Sequence, residues 1–397
     1  MRLSNQRLEF DSSEKHPHHC RADCIDDRRS DLSYRCHAGR YIGAPLRSPV
    51  GARYFPAKNQ GIALQKIALD QTDLLPFYGS SELLKPAPNK APDFFRTYPT
   101  GFSIFSVGKA GAASLITLQR LSAVGSDLNG KKVAVSVSPT WFFHEIPAPY
   151  YNGNFSLLQA GEMIYGSDLS FELKCDVARR MLEYPLSLEK SALLAFTLRQ
   201  LATDGPLERA LYYGTLPLGL LQNAILRIQD HIEMLFYMAK NARTLNAPVK
   251  HASGGVNWVS LIAAANSQVR GHGDADPEPI GAERGSRAFA AGVQNAHEWI
   301  DFELLLRVLT ELRAKPLLLS IPIDGRYFER FGVGRPFRDL YYKRVESLAR
   351  AYHVPIVDFA DHDMDQDFLS GHHDHLTDKG WLYFDKTLDD FAHNRPL

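Results

Sequence analysis

Four cysteines in 397 residues are too few for a disulfide scaffold. Cys20, Cys24 and Cys36 fall near the start, and Cys175 stands alone in the body, where it reads as a small apolar filler. A surplus of one charge is also missing. Lys plus Arg numbers 45 and Asp plus Glu numbers 45, so no formal net charge remains. Proteins that displace counterions from nucleic acid, or that cling to anionic membranes through polybasic segments, carry a basic excess. Neither class is expected here. No stretch offers the roughly 20 consecutive apolar residues of a membrane span. The first residues lack the hydrophobic core of a secretion signal. The nearest candidate is Ala210 to Leu226, which carries no charge. It contains Gly214, Pro217, Gly219, Gln222 and Asn223, which predict a loop leading into a helix. An amphipathic contact with a membrane surface is its second reading. Walker and dinucleotide glycine spacings are both absent, so no nucleotide cofactor is expected.

What is present is an ordinary globular composition, 45% hydrophobic and 23% charged. The length allows two or three domains or one large one. Residues 1–55 differ from the rest, with dense charge and few large aliphatics, and predict a disordered leading segment. Its His16, His18, His19, Cys20, Cys24, Cys36 and His37 match no common structural zinc spacing, so no metal is expected there.

From Leu74 onward strand-like and helix-like segments alternate. The short apolar runs Leu74–Tyr78, Phe102–Val107, Val133–Val137, Pro316–Ile321 and Ile356–Phe359 read as buried strands. Helical spacing marks Ala112–Val124, a helix-rich stretch from Ser167 to Asn246, the stripe Trp299 to Leu309, Phe337–Tyr352 and Trp381–Phe391. Gly271 to Gly285 is loop by composition. This pattern predicts an α/β fold, a central parallel sheet covered on both faces, with a large helical insertion from about Pro147 to Glu298. Ligand sites in such sheets lie beyond the carboxyl ends of the strands. Five places qualify: Gly79–Glu82, Gly108–Gly111, Ser138–Phe142, Pro322–Arg326 and the segment after Phe359.

The first place reads Leu-Pro-Phe-Tyr-Gly-Ser-Ser-Glu-Leu, residues 75 to 83. A serine on a tight turn after a strand can expose its hydroxyl while backbone N–H groups face a developing oxyanion. The plainer reading is a helix cap by Ser80 or Ser81. The last place carries Gly371-His-His-Asp-His-Leu-Thr-Asp-Lys-Gly-Trp381. A histidine with a neighbouring carboxylate is what a serine nucleophile needs for proton transfer. Competing readings are a solvated His-rich loop and a metal site with Asp361, Asp363, Asp365 and Asp367, whose spacing lacks the glycine and terminal glutamate of a calcium loop. The turn Phe105 to Gly111 offers backbone donors, and Val137-Ser-Pro-Thr-Trp-Phe142 supplies aromatics that wall a pocket or plug the sheet end.

Together these stretches resemble the DltD family, whose body is similar to the SGNH (GDSL-type) hydrolases. The matching segments are Pro-Phe-Tyr-Gly-Ser-Ser-Glu-Leu, the Gly108 to Gly111 turn, Ser-Pro-Thr-Trp-Phe, Pro322-Ile-Asp-Gly-Arg-Tyr-Phe and His-Leu-Thr-Asp-Lys-Gly-Trp, in family order from about Asn59 to the end. The resemblance implies one three-layer domain over residues 56–397. It implies Ser81 as nucleophile, His375 as base, and Gly108 with the Ser81 N–H as oxyanion donors. Ser80, Thr140 and Trp141 fall beside them as oxyanion or substrate candidates. The usual aspartate position three residues before the histidine holds His372 here, which leaves Asp374 as the nearest acid. Thr140 stands where the family usually has glutamine, and the family's N-terminal membrane anchor is not evident in this chain. The implied activity is D-alanyl transfer to an envelope polymer or lipid-linked glycan, with no cofactor. The implied partners are a membrane O-acyltransferase and an acyl carrier protein, and the implied place is the extracytoplasmic, membrane-associated side of the cell envelope. Rival readings are an esterase or thioesterase that uses water as acceptor, and a catalytically weak scaffold.

Overall fold

A computed structural model describes Leu46 and residues 53–245, 255–267, 282–365, 367–370 and 374–397. Within these, five strands form one sheet: β1 Leu74–Gly79, β2 Ser103–Gly108, β3 Lys132–Val137, β4 Lys315–Ser320 and β5 Ile356–Val357. Their order is β2-β1-β3-β4-β5, and every pairing is parallel. The expected α/β fold is what forms. All carboxyl ends therefore meet at one edge. The expected strand at Ile356–Phe359 is shorter than the sequence implies, because Phe359 takes a left-handed φ of 50° and leaves the sheet to stack on Phe384 at 4.6 Å.

Successive strand residues point to opposite faces. Tyr78, Val133, Val135, Val137 and Leu318 join one core. Phe77, Ala134, Leu317 and Leu319 join the other. Helices cover both. The first core packs α1 Ile62–Leu69 and α3 Ser114–Val124, and the second packs α2 Ala91–Thr97. This is the three-layer arrangement that continuous apolar strands demand. Pro76 sits inside β1, which lies between two neighbours. The ladder to β3 begins only at Phe77↔Ala134, one residue later, so the missing N–H breaks no bond on that side.

Between β3 and β4 lies the helical insertion. It runs through α4 Ala148–Asn154, α5 Leu157–Gly161, α6 Phe171–Met181, α7 Pro185–Leu188, α8 Ala192–Thr203, α9 Pro206–Leu245, α10 Trp258–Ser267 and α11 Ala282–Asn295 to α12 Glu298–Glu311. The expected loop at Ala210–Leu226 is instead part of α9, a continuous helix of 40 residues with Pro217 inside it. Tertiary packing overrides the breakers here. Gly219 is a contact point, since a Cβ on it would lie 2.4 Å from the Tyr165 ring. Likewise Gly285, expected in a loop, lies in α11, where the Phe331 carbonyl oxygen approaches so closely that an added Cβ would meet it at 2.0 Å. Residues 271–281 of that expected loop lie outside the described residues. The outward side of α9 exposes Leu218, Leu221, Ile225 and Ile228. No helix among the described residues is long and apolar enough to cross a membrane. Cys175 in α6 is buried, as a filler would be.

After β4 follow α13 Gly325–Glu329, α14 Arg335–Ala351 and, closing the chain, α15 Asp378–Ala392. Most of residues 1–55, including the histidine and cysteine cluster, lies outside the described residues. Of those described there, Leu46, Tyr54 and Phe55 are fully buried. Tyr54 meets Tyr237 of α9 at 4.9 Å and Phe55 meets Phe105 of β2 at 6.0 Å, both edge to face.

Candidate active site

β1 ends at Gly79, and the chain turns at once into a single 3-10 turn, Ser81–Leu83. Neither serine caps it through its side chain. The two instead point apart. Ser80 is buried, and its Oγ accepts from Gly111 N at 3.0 Å and Ala112 N at 3.2 Å. That fastens the end of β1 to the turn after β2. Two N–H groups of the glycine turn are thereby engaged by Ser80. The Ser80 N–H itself donates to Glu82 Oε1 at 2.7 Å. Ser80 thus holds the turn, with its hydroxyl turned inward.

Ser81 is half-buried, and its Oγ lies 3.0 Å from His375 Nε2. The histidine is held by a short antiparallel clasp. Leu369 bridges Leu376, Ser370 N donates to the His375 carbonyl at 2.8 Å, and Thr377 N donates to the Phe368 carbonyl at 3.1 Å. Thr377 then accepts from Gly380 N and caps α15. Gly380 is needed for that closure, because a Cβ would meet the Phe368 carbonyl oxygen at 2.5 Å. The Asp374 carboxylate approaches His375 Nδ1. The contact lacks the in-line angle of a hydrogen bond, as expected of side chains on adjacent residues. His372 lies outside the described residues.

The remaining sites expected from the sequence converge on the same edge. Gly108 closes β2 opposite Gly79, and a side chain on it would strike Leu83 at 2.8 Å and the Ser80 carbonyl oxygen at 3.2 Å. Thr140 Oγ1 hydrogen-bonds with Ser138 Oγ at 2.8 Å, so its hydroxyl is engaged locally. Trp141 is half-buried and packs edge-on against Tyr150 at 5.7 Å. Phe142 does not line the site. It is fully buried against Trp299 and Tyr341. The aspartates after β5 brace the loops. Asp363 pairs in the interior with Arg338 at 3.0 Å, and its carbonyl accepts from Gly325 N at 2.7 Å. Asp365 pairs with Lys379 at 2.6 Å.

Two buried carboxylates stand out beneath the serine turn. Glu82 folds back under Gly79, and burial raises its pKa, with the Ser80 N–H working the other way. Glu298, at the start of α12, accepts from Ser114 N at 2.9 Å. Burial first, then the Asp301 carboxylate, push it up to about 8. Both line a small cavity of about 10 Å³ shared with Ser80, Ser136 and Trp141, about the room one water centre needs. Sequence reading missed both carboxylates. Glu82 was visible beside the serines but reads as a first-turn acid, and no local pattern links Glu298 to the site.

Comparison with known proteins follows the same order of segments. The family model for the DltD protein matches residues 52–280 and 284–393. The chain is 27% identical over 356 residues to Protein DltD of Bacillus subtilis (strain 168), covering 85% of this chain and 86% of that one. It is 25% identical over 343 residues to Protein DltD of Staphylococcus aureus (strain NCTC 8325 / PS 47), covering 83% of each.

Proposed function

The chain belongs to the DltD family, and from that premise we propose that it transfers an acyl group, D-alanine, through a covalent ester on Ser81. The observation that carries this reading is the 3.0 Å contact between Ser81 Oγ and His375 Nε2, two residues 294 positions apart that the fold places together. In the first half-reaction Ser81 Oγ attacks the donor's acyl carbonyl while His375 takes the hydroxyl proton. The tetrahedral intermediate collapses, and His375 returns that proton to the departing donor group. In the second, an acceptor hydroxyl gives its proton to His375, attacks the Ser81 ester, and Ser81 leaves with the proton restored. The Ser81 N–H and the Gly108 backbone are the oxyanion donors in this reading. Asp374 supports the imidazolium by charge, not by a shared in-line proton. The donor side is an acyl carrier protein or a membrane O-acyltransferase, and the acceptor is a hydroxyl-bearing polymer or glycolipid of the cell envelope.

Trapping with a fluorophosphonate probe followed by peptide mapping tests this. The expected adduct is on Ser81 and is absent from Ser81→Ala. An adduct elsewhere, or none on a folded protein, overturns the reading.

A further inference from the structure

Three cationic side chains that have no carboxylate partner among the described residues gather around the turn that follows β2. Lys109, next after Gly108, donates through Nζ to Asn59 Oδ1 at 2.6 Å and to the Gly153 carbonyl at 3.0 Å. Asn59 Nδ2 in turn donates to the Gly153 and Phe155 carbonyls at 3.0 and 3.2 Å. Lys190 Nζ donates to that same Phe155 carbonyl at 3.3 Å. The two ammonium groups thus sit on one hydrogen-bonded hub. Beneath it lies Arg120, fully buried in α3. Among the described residues its Nη2 reaches only the amide oxygen of Asn154 at 3.4 Å, and its Nε and Nη1 have no partner. Asn154 closes the circle by donating to the Ala110 carbonyl at 2.9 Å.

No Asp or Glu of the described residues is among the charges that act on Lys109, Lys190 or Arg120. Burial first, then Arg120 and Lys190, lower the pKa of Lys109. Burial lowers Arg120 to about 10. An ammonium has three N–H donors. Lys109 therefore keeps one unused and Lys190 keeps two, on a face that reaches solvent at Gly153 and Lys190. Arg120 is the buried member, and a buried charge without a counter-charge is costly unless something nearby offsets it.

The geometry points to a phosphate-binding site formed by Lys109 and Lys190 over the buried Arg120, beside the Ser81 turn. Lysine recognises phosphate as a point charge with several donors, and the Arg120 charge below, shielded from water, strengthens the field at that spot. The D-alanyl ester itself carries an amine and no anion, so the phosphate belongs to what the acyl group comes from or goes to. That last step alone rests on the acyl-transfer reading. The binding site does not. Two carriers fit the chemistry, a phosphodiester of the acceptor polymer and the phosphate of a carrier protein's pantetheine arm.

Calorimetric titration of the full chain tests the site directly. Inorganic phosphate is expected to bind, with affinity falling as salt rises. Lys190→Glu, an exposed charge reversal that leaves Asn59 and Lys109 in place, is expected to weaken it at least tenfold. Lys109→Gln, compared after its melting temperature has been measured, is expected to weaken it similarly. Absence of phosphate binding, or binding that Lys190→Glu leaves unchanged, overturns the proposal. Competition by glycerol phosphate against competition by phosphopantetheine then assigns the carrier. Ser81 trapping on the unmodified chain is scored separately, so a failed acyl-enzyme with intact phosphate binding, or the reverse, identifies which reading has failed.

Discussion

Gly79 and Glu82 define each other. A Cβ on Gly79 would lie 2.2 Å from Glu82 Oε1, and that carboxylate is what receives the Ser80 N–H at 2.7 Å. The bare backbone at the end of β1 lets an acidic side chain fold under the turn. The turn in turn aims Ser81 outward and Ser80 inward. Gly79→Ala is therefore expected to cost about 1–3 kcal/mol of stability, the usual range for overpacking, and to slow fluorophosphonate labelling of Ser81. Thermal melts and labelling rates check both. Unchanged melting with unchanged labelling would show that Glu82 does not set the turn.

The two adjacent serines should separate cleanly. Ser81→Ala is expected to remove acyl-ester turnover by a factor of thousands or more while leaving the fold intact. Ser80→Ala leaves the Gly111 N–H without its acceptor, while Ala112 N keeps the Lys109 carbonyl, so it should lower stability by about 1–3 kcal/mol and retain measurable turnover. The reverse pattern in a small-ester assay would place the nucleophile at Ser80.

Asp374 lies against His375 without hydrogen-bond alignment. Asp374→Asn is expected to reduce turnover about tenfold, far less than the thousandfold or greater loss expected for His375→Ala. Steady-state kinetics of the two variants decide it. A loss for Asp374→Asn as large as for His375→Ala would make the aspartate a full member of a triad.

Buried carboxylates set the pH dependence of stability. The pKa of Glu298 in the fold is raised to about 8 from an ordinary value of 4.5. The folded chain then binds more protons than the unfolded one between those values, so this contribution is complete below the ordinary pKa and is lost as pH rises through the raised one. Melting temperature should fall from mildly acidic pH toward pH 8. Glu298→Gln should flatten that decline, whereas an equally steep decline in the variant would assign the effect to other groups.

Phe55 is buried against Phe105. Phe55→Ala should lower stability by about 3–5 kcal/mol, as for other large core aromatics, which denaturant melts would detect. A loss below about 1 kcal/mol would mean the residues around it carry no weight in the core.

Much of this was legible in the sequence because strands and their ends are local signals. Leu74–Gly79 and Val133–Val137 announce themselves as unbroken apolar runs, and the rule that sites lie beyond strand ends picked out the turn Gly79–Glu82 and the segment after Phe359, within which the family resemblance singled out Ser81 and His375. What stayed hidden depends on contacts across the chain. Gly219 and Gly285 look like breakers until Tyr165 and the Phe331 carbonyl are seen pressed against them. The inward role of Ser80 required the turn after β2, and the place of Glu298 required a helix on the far side of a long insertion.

The separation of 294 residues between Ser81 and His375 has a consequence during synthesis. Ser81 is made 294 residues before the histidine that it meets in the fold. A chain still short of that point therefore presents Ser81 without the His375 contact. The Ser81–His375 contact therefore forms only after the clasp ahead of α15 has closed, which makes it a late reporter of folding and not an early one.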